Sequence, residues 1–281
     1  MTWKEYRHRF LPWIILNGKS RFRQCETSPR SFQSENIDAK YYEHNFQIKL
    51  KDYLSNVNHR LSHLGCTETF SQAHMQRSFK RDTEVFHKSS YECASDILGF
   101  SLCRSSSSIK NAGLGVFVAF GKIPKNSIAA LYPGLIYEPG EPVLFQSIHN
   151  QFVLRCKDGV LVDGNDRGIS KFLYRSCAGR DIVGSHLTCD ISWLTTHPIN
   201  LLSVGQYVNN HNKDNPANVE YQEIDLSADF PDNLLKYIPN TYYSANHQYG
   251  MQRLRRIVIL RSLRDITAGE ELFSTYFTTT L

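Results

Sequence analysis

Two patterns of apolar positions divide the chain. From residue 41 to 97, bulky apolar side chains recur every three or four positions, as on one face of a helix; the repeat begins Phe46, Ile48, Leu50, Tyr53, Leu54, Val57, Leu61, Leu64. After the serine run at 105–108, apolar residues come in short bursts between turn residues, at 115–120, 128–131, 152–154, 160–162, 219–224 and 257–260. No regular helices are evident between these bursts. The chain is therefore predicted to be mainly β with short helices, built from small sheets and preceded by a helical N-terminal region.

Three further segments complete the expected organisation. Residues 1–16 form a predicted basic amphipathic helix, with bulky apolar side chains near helical spacing at Trp3, Tyr6, Phe10, Trp13 and Ile14. Such an arginine-rich, acid-poor helix permits mitochondrial import, and packing on the domain with a solvated basic face explains it at least as well. Residues 17–40 are polar and aperiodic, which predicts a linker. An insertion is expected at about 225–252, with a brief helix at 232–237 and a loop at 241–252.

Composition narrows the class of protein. A chain of 281 residues can bury a substantial core, and its longest apolar run, residues 10–16, is far shorter than the roughly 20 residues that cross a bilayer. We therefore expect no membrane insertion. Seven cysteines without close pairs favour a reducing, intracellular compartment over a disulfide framework, and no zinc-ligand spacing occurs, so no metal is expected. Nucleus, cytoplasm and mitochondrion all fit this composition.

A Gly-x-Gly motif, Gly113-Leu114-Gly115, stands immediately before a predicted strand. Glycines at such a place let the backbone approach a ligand closely. The motif alone is also common in hairpin turns. A dinucleotide site is disfavoured, because neither a third glycine nor a helix follows.

Further along the chain, other motifs complete a three-part pattern with the glycines. The first part continues through residues 122–125 (Lys-Ile-Pro-Lys) and 132–134 (Tyr-Pro-Gly); the second is residues 207–211 (Tyr-Val-Asn-Asn-His); the third is residues 264–276, which include Gly-Glu-Glu-Leu-Phe and end in Tyr276. In this order and spacing, residues 98–276 resemble the SET-domain family of lysine methyltransferases. The resemblance implies a SET-domain fold of small curved sheets with a threaded C-terminal segment.

The resemblance also implies a function, which is the transfer of a methyl group from S-adenosyl-L-methionine to a lysine of a protein or peptide substrate. It places the cofactor against Gly113, Leu114, Gly115, Asn210, His211 and Tyr276. Tyr276 would lie at the methyl-transfer centre, and Tyr132 beside the substrate lysine as a second catalytic residue. Burial statistics alone favour Tyr132 as a core tyrosine with a satisfied hydroxyl.

Several positions depart from the family pattern. The usual Ser-Cys after Asn-His is replaced by Asn212-Lys213, Ser274 and Thr275 replace an aromatic residue and an aspartate, and residues 277–281 form a tail without a zinc-binding segment. Glu270 and Glu271 are expected to be structural. These departures support an alternative, a catalytically inactive SET module that binds proteins. Nucleic-acid binding is a weaker alternative, because a basic run is usually a solvated face; the run comprises Arg253, Arg255, Arg256, Arg261 and Arg264.

Overall fold

The structure, a computed structural model, describes residues 36–63, 96–183, 186–196, 198–245 and 254–275. The predicted helix at 1–16, most of the linker at 17–40, the helical repeat beyond His63 up to residue 95, and the tail at 277–281 lie outside these residues. None of the helices in the described part of the chain is both long and apolar enough to cross a membrane.

A long helix, α1 (Asn36–His63), packs on the β domain that follows it. Its buried side chains repeat at three- and four-residue intervals and join the main core: Phe46, Leu50, Tyr53, Leu54, Val57 and Leu61. Ile48, predicted to belong to the same apolar set, is 44% exposed on another face. The helix already begins at Asn36, inside the segment predicted as linker. Polar contacts also fix it, since the Tyr237 hydroxyl donates to Asn58 Oδ1 at 3.0 Å.

Short strands and helices make up the rest of the described chain. In order they are β1 (Phe100–Ser106), β2 (Leu114–Ile123), β3 (Ile128–Tyr132), β4 (Gly134–Tyr137), α2 (Leu144–Ser147), β5 (Val153–Arg155), β6 (Leu161–Asp163), α3 (Gly168–Arg180), β7 (Ile182–Val183), β8 (His186–Leu187), β9 (Asn209–Asn210), β10 (Val219–Asp225), α4 (Asp232–Leu235), β11 (Asn240–Tyr242), β12 (Arg256–Ser262), β13 (Ile266–Thr267) and β14 (Phe273–Ser274). Single 3-10 turns occur at Ser192–Leu194 and Gly205–Tyr207.

Within the described residues the strands form four small sheets. Their orders are β1-β2-β13, β3-β12-β10-β14-β9, β11-β4-β6-β5 and β7-β8. A strand occurs at each of the six positions that the apolar bursts predicted, so the mainly β fold with short helices is confirmed. Buried side chains of the first three sheets and of α1 share one core, and a second, smaller core lies between α3 and β4.

Helix α3 corrects the expectation that no regular helix would interrupt the strands. Its thirteen residues bury Ser170, Tyr174, Cys177 and Ala178, whereas Ile169 and Phe172 are exposed. Three of the four buried residues are small and weakly apolar, so the apolar signal does not follow the buried face. A pattern of bulky apolar residues could not reveal this helix.

The insertion at 225–252 is only partly irregular. Helix α4 lies inside the predicted brief helix. The loop predicted from residue 241 is wrong at its start, because β11 continues to Tyr242 and pairs in parallel with β4. Thr241 and Tyr242 are buried there, since the strand completes the edge of the third sheet.

The C-terminal segment, defined here as residues 264–275, passes from one sheet into another. Its first strand, β13, pairs with β2, and its second, β14, lies between β10 and β9. Both β14 pairings are parallel, with Phe273 opposite Asn209 and Ser274 opposite Asn210. Insertion between two existing strands is the threaded arrangement that the sequence resemblance implied.

Candidate active site

The Gly-x-Gly motif closes the hairpin between β1 and β2. Gly113 has φ +80°, a left-handed conformation that favours glycine, and its carbonyl accepts a hydrogen bond from Ser107 N at 2.9 Å. A Cβ placed on Gly113 would meet no atom within 4 Å, and Leu114 is 39% exposed. In this hairpin loop, residues 107–115, the backbone at Gly113 and Leu114 is therefore accessible.

Gly115 is a glycine for a different reason, which is the close approach of a carboxylate. A Cβ on Gly115 would lie 2.0 Å from Glu271 Oε1 and 2.8 Å from Glu271 Cδ. Glu271 is buried at 6% exposure, so its side chain has little room to move away. Any side chain at position 115 would displace the carboxylate from the hairpin loop.

The Glu271 carboxylate accepts four hydrogen bonds from two distant segments. Oε1 accepts from the Ser107 hydroxyl at 2.7 Å and from Asn209 Nδ2 at 3.3 Å. Oε2 accepts from the Ser108 backbone N–H at 2.8 Å and from the Ser108 hydroxyl at 2.7 Å. A buried carboxylate needs such donors, because desolvation is costly without them. This confirms the structural role expected of Glu271.

Asn209 joins the second motif to the first. Its amide Nδ2 lies 3.0 Å from Leu114 O as well as 3.3 Å from Glu271 Oε1. Sequence analysis singled out the next two residues, Asn210 and His211, and missed this one. Asn210 is half-buried in β9, and His211 is exposed, with its backbone N–H donating to Ser274 O at 2.9 Å.

Asn218 anchors the C-terminal segment from the other side. Its Nδ2 donates to Glu271 O at 2.8 Å, and its Oδ1 accepts from Phe273 N at 2.8 Å. The structure thus brings Gly113, Leu114, Gly115, Asn210 and His211 to one junction with the C-terminal segment. Tyr276, the predicted catalytic residue at the end of that segment, lies outside the described residues.

An aromatic cluster adjoins this junction, comprising Tyr132, Phe152, Tyr207 and Tyr221. Tyr132 is buried in β3, and its hydroxyl donates to Phe152 O at 2.7 Å. Its ring packs edge-on against Tyr221 with centroids 5.9 Å apart, and Phe152 packs in the same way on Tyr207 at 5.7 Å. Tyr132 is thus a buried tyrosine with a bonded hydroxyl, as the burial argument predicted. Whether it also contacts a lysine stays a prediction.

Tyr207 fixes one wall of the aromatic cluster. Its hydroxyl donates to Asp166 Oδ2 at 2.7 Å, and the Arg104 guanidinium lies 5.3 Å from its ring centroid. Burial, followed by the hydrogen bond to Asp166, raises the pKa of Tyr207 to about 12. The hydroxyl therefore stays protonated at neutral pH.

A buried carboxylate, that of Asp163, lies close to the aromatic cluster. Asp163, at the end of β6, accepts from Asn150 Nδ2 at 2.7 Å and from Asn165 N at 3.1 Å. Burial raises the pKa of Asp163 to about 6, and these hydrogen bonds together with one from Ser170 only partly oppose the rise. The next residue, Gly164, is packed so tightly that a Cβ there would lie 2.9 Å from Tyr132 Cε1.

The arginine run near the C terminus is largely paired within the chain. Arg256 binds Asp158 and Asp225, Arg261 binds Glu220, and Arg264 binds Glu270. Arg255 donates to a backbone carbonyl, that of Thr188. These contacts weaken the argument for nucleic-acid binding. Arg253 lies outside the described residues.

The ion pairs of Arg256 also involve a group of residues that could bind a metal ion. Cys156, Asp158 and Glu223 bring one ligand atom each within 4.8 Å of one another. Arg256 already neutralises this group, with Nη1 at 2.9 Å from Asp158 Oδ2 and 3.5 Å from Glu223 Oε2. Burial is the main cause that raises the pKa of the Cys156 thiol to about 12, so the thiolate that binds metals is disfavoured.

Comparison with known proteins assigns the class of the molecule. No family model matches the chain. SET domain-containing protein 9 of Homo sapiens is 40% identical over 98% of this chain and 95% of its own length. SET domain-containing protein 9 of Pongo abelii is 49% identical over 73% of this chain and 71% of its own length. The molecule is a SET-domain protein. More specifically, the chain belongs to the SET domain-containing protein 9 family.

Solved structures give a more distant likeness. A structure of ctPRC2 in an autoinhibited conformation bound to S-adenosylmethionine is 14% identical with a TM-score of 0.34, over 63% of this chain and 15% of that chain. A crystal structure of an active polycomb repressive complex 2 in the basal state is 15% identical with the same score and coverage. The family assignment therefore rests on the two sequence relatives.

Replacing Glu271 by alanine is expected to lower the free energy of unfolding by about 2–4 kcal/mol, because four donors lose their buried acceptor. Chemical denaturation of the purified protein measures this loss. Glu270→Ala is the matched control. Glu270 accepts from Arg264 and from Thr267, and these contacts hold its pKa at about 2, but the carboxylate is partly exposed, so its loss should cost less than the loss of Glu271. Equal losses in the two variants would contradict the structural role of Glu271.

The raised pKa of Asp163 predicts a pH dependence of stability. The folded protein holds the proton more tightly than the unfolded chain, so the stabilisation is fully present below pH 3.8 and is lost as pH rises through about 6. Asn is neutral at every pH and resembles the protonated Asp163, so Asp163→Asn should abolish this pH dependence, which amounts to up to about 3 kcal/mol across the range. The free energies of unfolding of the two proteins, measured between pH 4 and 7, should become equal toward low pH. A constant difference across this range would show that Asp163 does not titrate there.

Proposed function

We propose that this protein is an S-adenosyl-L-methionine-dependent methyltransferase that acts on a lysine side chain of a protein. The observation that carries the proposal is the junction at Glu271. One carboxylate holds the Gly-x-Gly hairpin, Asn209 and the C-terminal segment together, so the three parts of the family pattern meet in space. The family of the chain supports the same class of activity.

The residues present at the junction fit the cofactor. Beside Gly113 there is open space where a Cβ would project, and the exposed edge of residues 113–114 can meet a ligand through its backbone. Asn210 offers both a donor and an acceptor in its amide, which suits the amino-acid and adenine ends of S-adenosyl-L-methionine. His211, exposed and next in sequence, would cover the ligand. When bound, S-adenosyl-L-methionine supplies an electrophilic methyl group on a cationic sulfonium.

The aromatic cluster fits the substrate side of the reaction. Tyr132, Phe152, Tyr207 and Tyr221 are buried or half-buried around the segment that precedes Asn209. Aromatic faces stabilise a lysine side chain by apolar contact and by cation–π attraction. The Tyr132 hydroxyl donates to Phe152 O, and a hydroxyl so oriented presents its oxygen as an acceptor for an amine N–H.

The chain need not supply a general base for this reaction. A protonated lysine has no lone pair, so its proton must leave to solvent before transfer. Desolvation by the aromatic cluster and the nearby sulfonium charge both disfavour the ammonium form and lower the lysine pKa. The residues of the site then act by positioning, which holds the amine in line with the methyl group.

A second candidate is a SET module that binds proteins without catalysis. Ser274 is the observation that favours it, because it replaces an aromatic residue and is fully buried in β14. Its hydroxyl has no hydrogen-bond partner among the described residues, so the substitution removes a ring without adding a visible contact. The methyl-transfer centre would be less enclosed as a result.

Calorimetry with S-adenosyl-L-methionine, followed by methyl transfer on an arrayed library of lysine peptides, tests the proposal. Wild-type protein should bind the cofactor and methylate a subset of peptides. Tyr132→Phe should retain cofactor affinity and lower the transfer rate by about 10- to 100-fold, because the amine loses an oriented acceptor. Tyr276→Phe should act in the same direction.

Tyr174→Phe is the matched control for the Tyr132 variant. Tyr174 is also buried, and its hydroxyl donates to a backbone carbonyl, Asp190 O, at 2.7 Å, but it lies on α3 and belongs to the second core. Its loss should leave transfer unchanged. Absence of binding at millimolar S-adenosyl-L-methionine would contradict the proposal that the protein is an enzyme. Cofactor and peptide binding without transfer would instead establish the binding module.

A further inference from the structure

Gln206 carries a buried amide that no described residue of the chain pairs with. It lies in the 3-10 turn Gly205–Tyr207 and is 3% exposed. Among the residues that the structure describes, neither its Oε1 nor its Nε2 has a hydrogen-bond partner. Leaving a buried polar group unpaired costs free energy, and native structures rarely do so without a reason. An apolar residue of similar size would avoid this cost.

The backbone holds the base of the Gln206 side chain close to Tyr132. A Cβ on Gly205 would lie 2.6 Å from Leu131 O, so the turn packs directly on β3. A second tight point lies at Gly164, where a Cβ would be 2.9 Å from Tyr132 Cε1 and 3.1 Å from Gln206 Cβ. The Gln206 side chain therefore starts next to the Tyr132 ring. On the far side of the same turn, Tyr207 packs on Phe152.

We propose that Gln206 is a substrate-binding and specificity-determining residue, whose Oε1 accepts an N–H hydrogen bond from the lysine amine. This inference rests on the proposed function. A neutral amine has two N–H groups and one lone pair, and the lone pair must point at the methyl carbon during transfer. Gln206 Oε1 and the Tyr132 hydroxyl oxygen are two acceptors that can hold the two N–H groups and so fix the direction of the lone pair.

The electron balance of methyl transfer shows that Gln206 would also affect how many methyl groups are added. The nitrogen lone pair forms the N–C bond, the methyl C–S bond breaks with its pair moving to sulfur, and the methylated ammonium later loses one proton to water. For a second transfer, the methyl group already present must occupy a place that an N–H held before. Placed against Gln206 Oε1, it would leave a buried acceptor unpaired. Gln206 therefore favours release of the monomethylated product.

Gln206→Met tests this, because methionine has nearly the same shape and offers no amide. The variant should melt at or above the wild-type temperature, since an unpaired polar group is removed, and should bind S-adenosyl-L-methionine with unchanged affinity. Its first methyl transfer should be about tenfold slower, the loss of one hydrogen bond to the reacting amine. Its ratio of dimethylated to monomethylated product should rise several-fold, measured by mass spectrometry on a peptide that the wild type methylates.

Ser203→Ala is the matched control. Ser203 is a buried residue three positions earlier, and its hydroxyl also lacks a partner among the described residues. Loss of that hydroxyl should leave both the rate and the product ratio unchanged. Gln206→Leu provides a second apolar variant if Gln206→Met folds poorly.

The outcomes of these experiments distinguish the proposed role of Gln206 from a purely structural role. A wild-type rate and product ratio in the Gln206 variants would overturn the inference while leaving the proposed function intact. A fall of several degrees in melting temperature, with an unchanged product ratio, would assign the amide to the fold and also overturn it. If the wild-type protein binds no cofactor or transfers no methyl group, the proposed function fails first, and that result is visible before any Gln206 variant is made.

Discussion

The buried carboxylate of Glu271 is the constraint on which the rest of the site depends. Its two oxygens accept from Ser107, Ser108 and Asn209, which come from two segments far from it in sequence. Without these donors a carboxylate at this depth would be strongly destabilising. The carboxylate in turn leaves no room for a side chain at Gly115. The glycine, the serine pair and the glutamate are thus one interdependent unit.

This unit connects the two halves of the candidate active site. Asn209 touches both Glu271 and Leu114, so the position of the carboxylate fixes the start of the Asn209–Asn210 strand. The turn immediately before that strand carries Gln206 and also Tyr207, a member of the aromatic cluster. The proposed cofactor and substrate sides would therefore share one short stretch, residues 205–211. Movement of the C-terminal segment would therefore shift the proposed cofactor side and the proposed substrate side together.

The sequence predicted those features that depend on local pattern, and missed those that depend on distant contacts. The apolar bursts located six strands, because the apolar residues of each burst are the side chains that the strand buries. Helix α3 was missed, because its buried face is mostly small and its exposed face carries Ile169 and Phe172. The motifs located the junction, but the roles of Asn209 and Gln206 depend on packing against Glu271 and Gly164, over 40 residues away in the chain. No pattern within a short window contains that information.

We propose that S-adenosyl-L-methionine binds at the junction held by Glu271. Hydrogen–deuterium exchange of the wild-type protein, with and without saturating S-adenosyl-L-methionine, measures this most directly. The ligand should slow exchange together in residues 107–115, 207–211 and 270–275, because binding stabilises three segments that share one carboxylate. Slower exchange confined to other parts of the chain, or no change in these three segments, would contradict it.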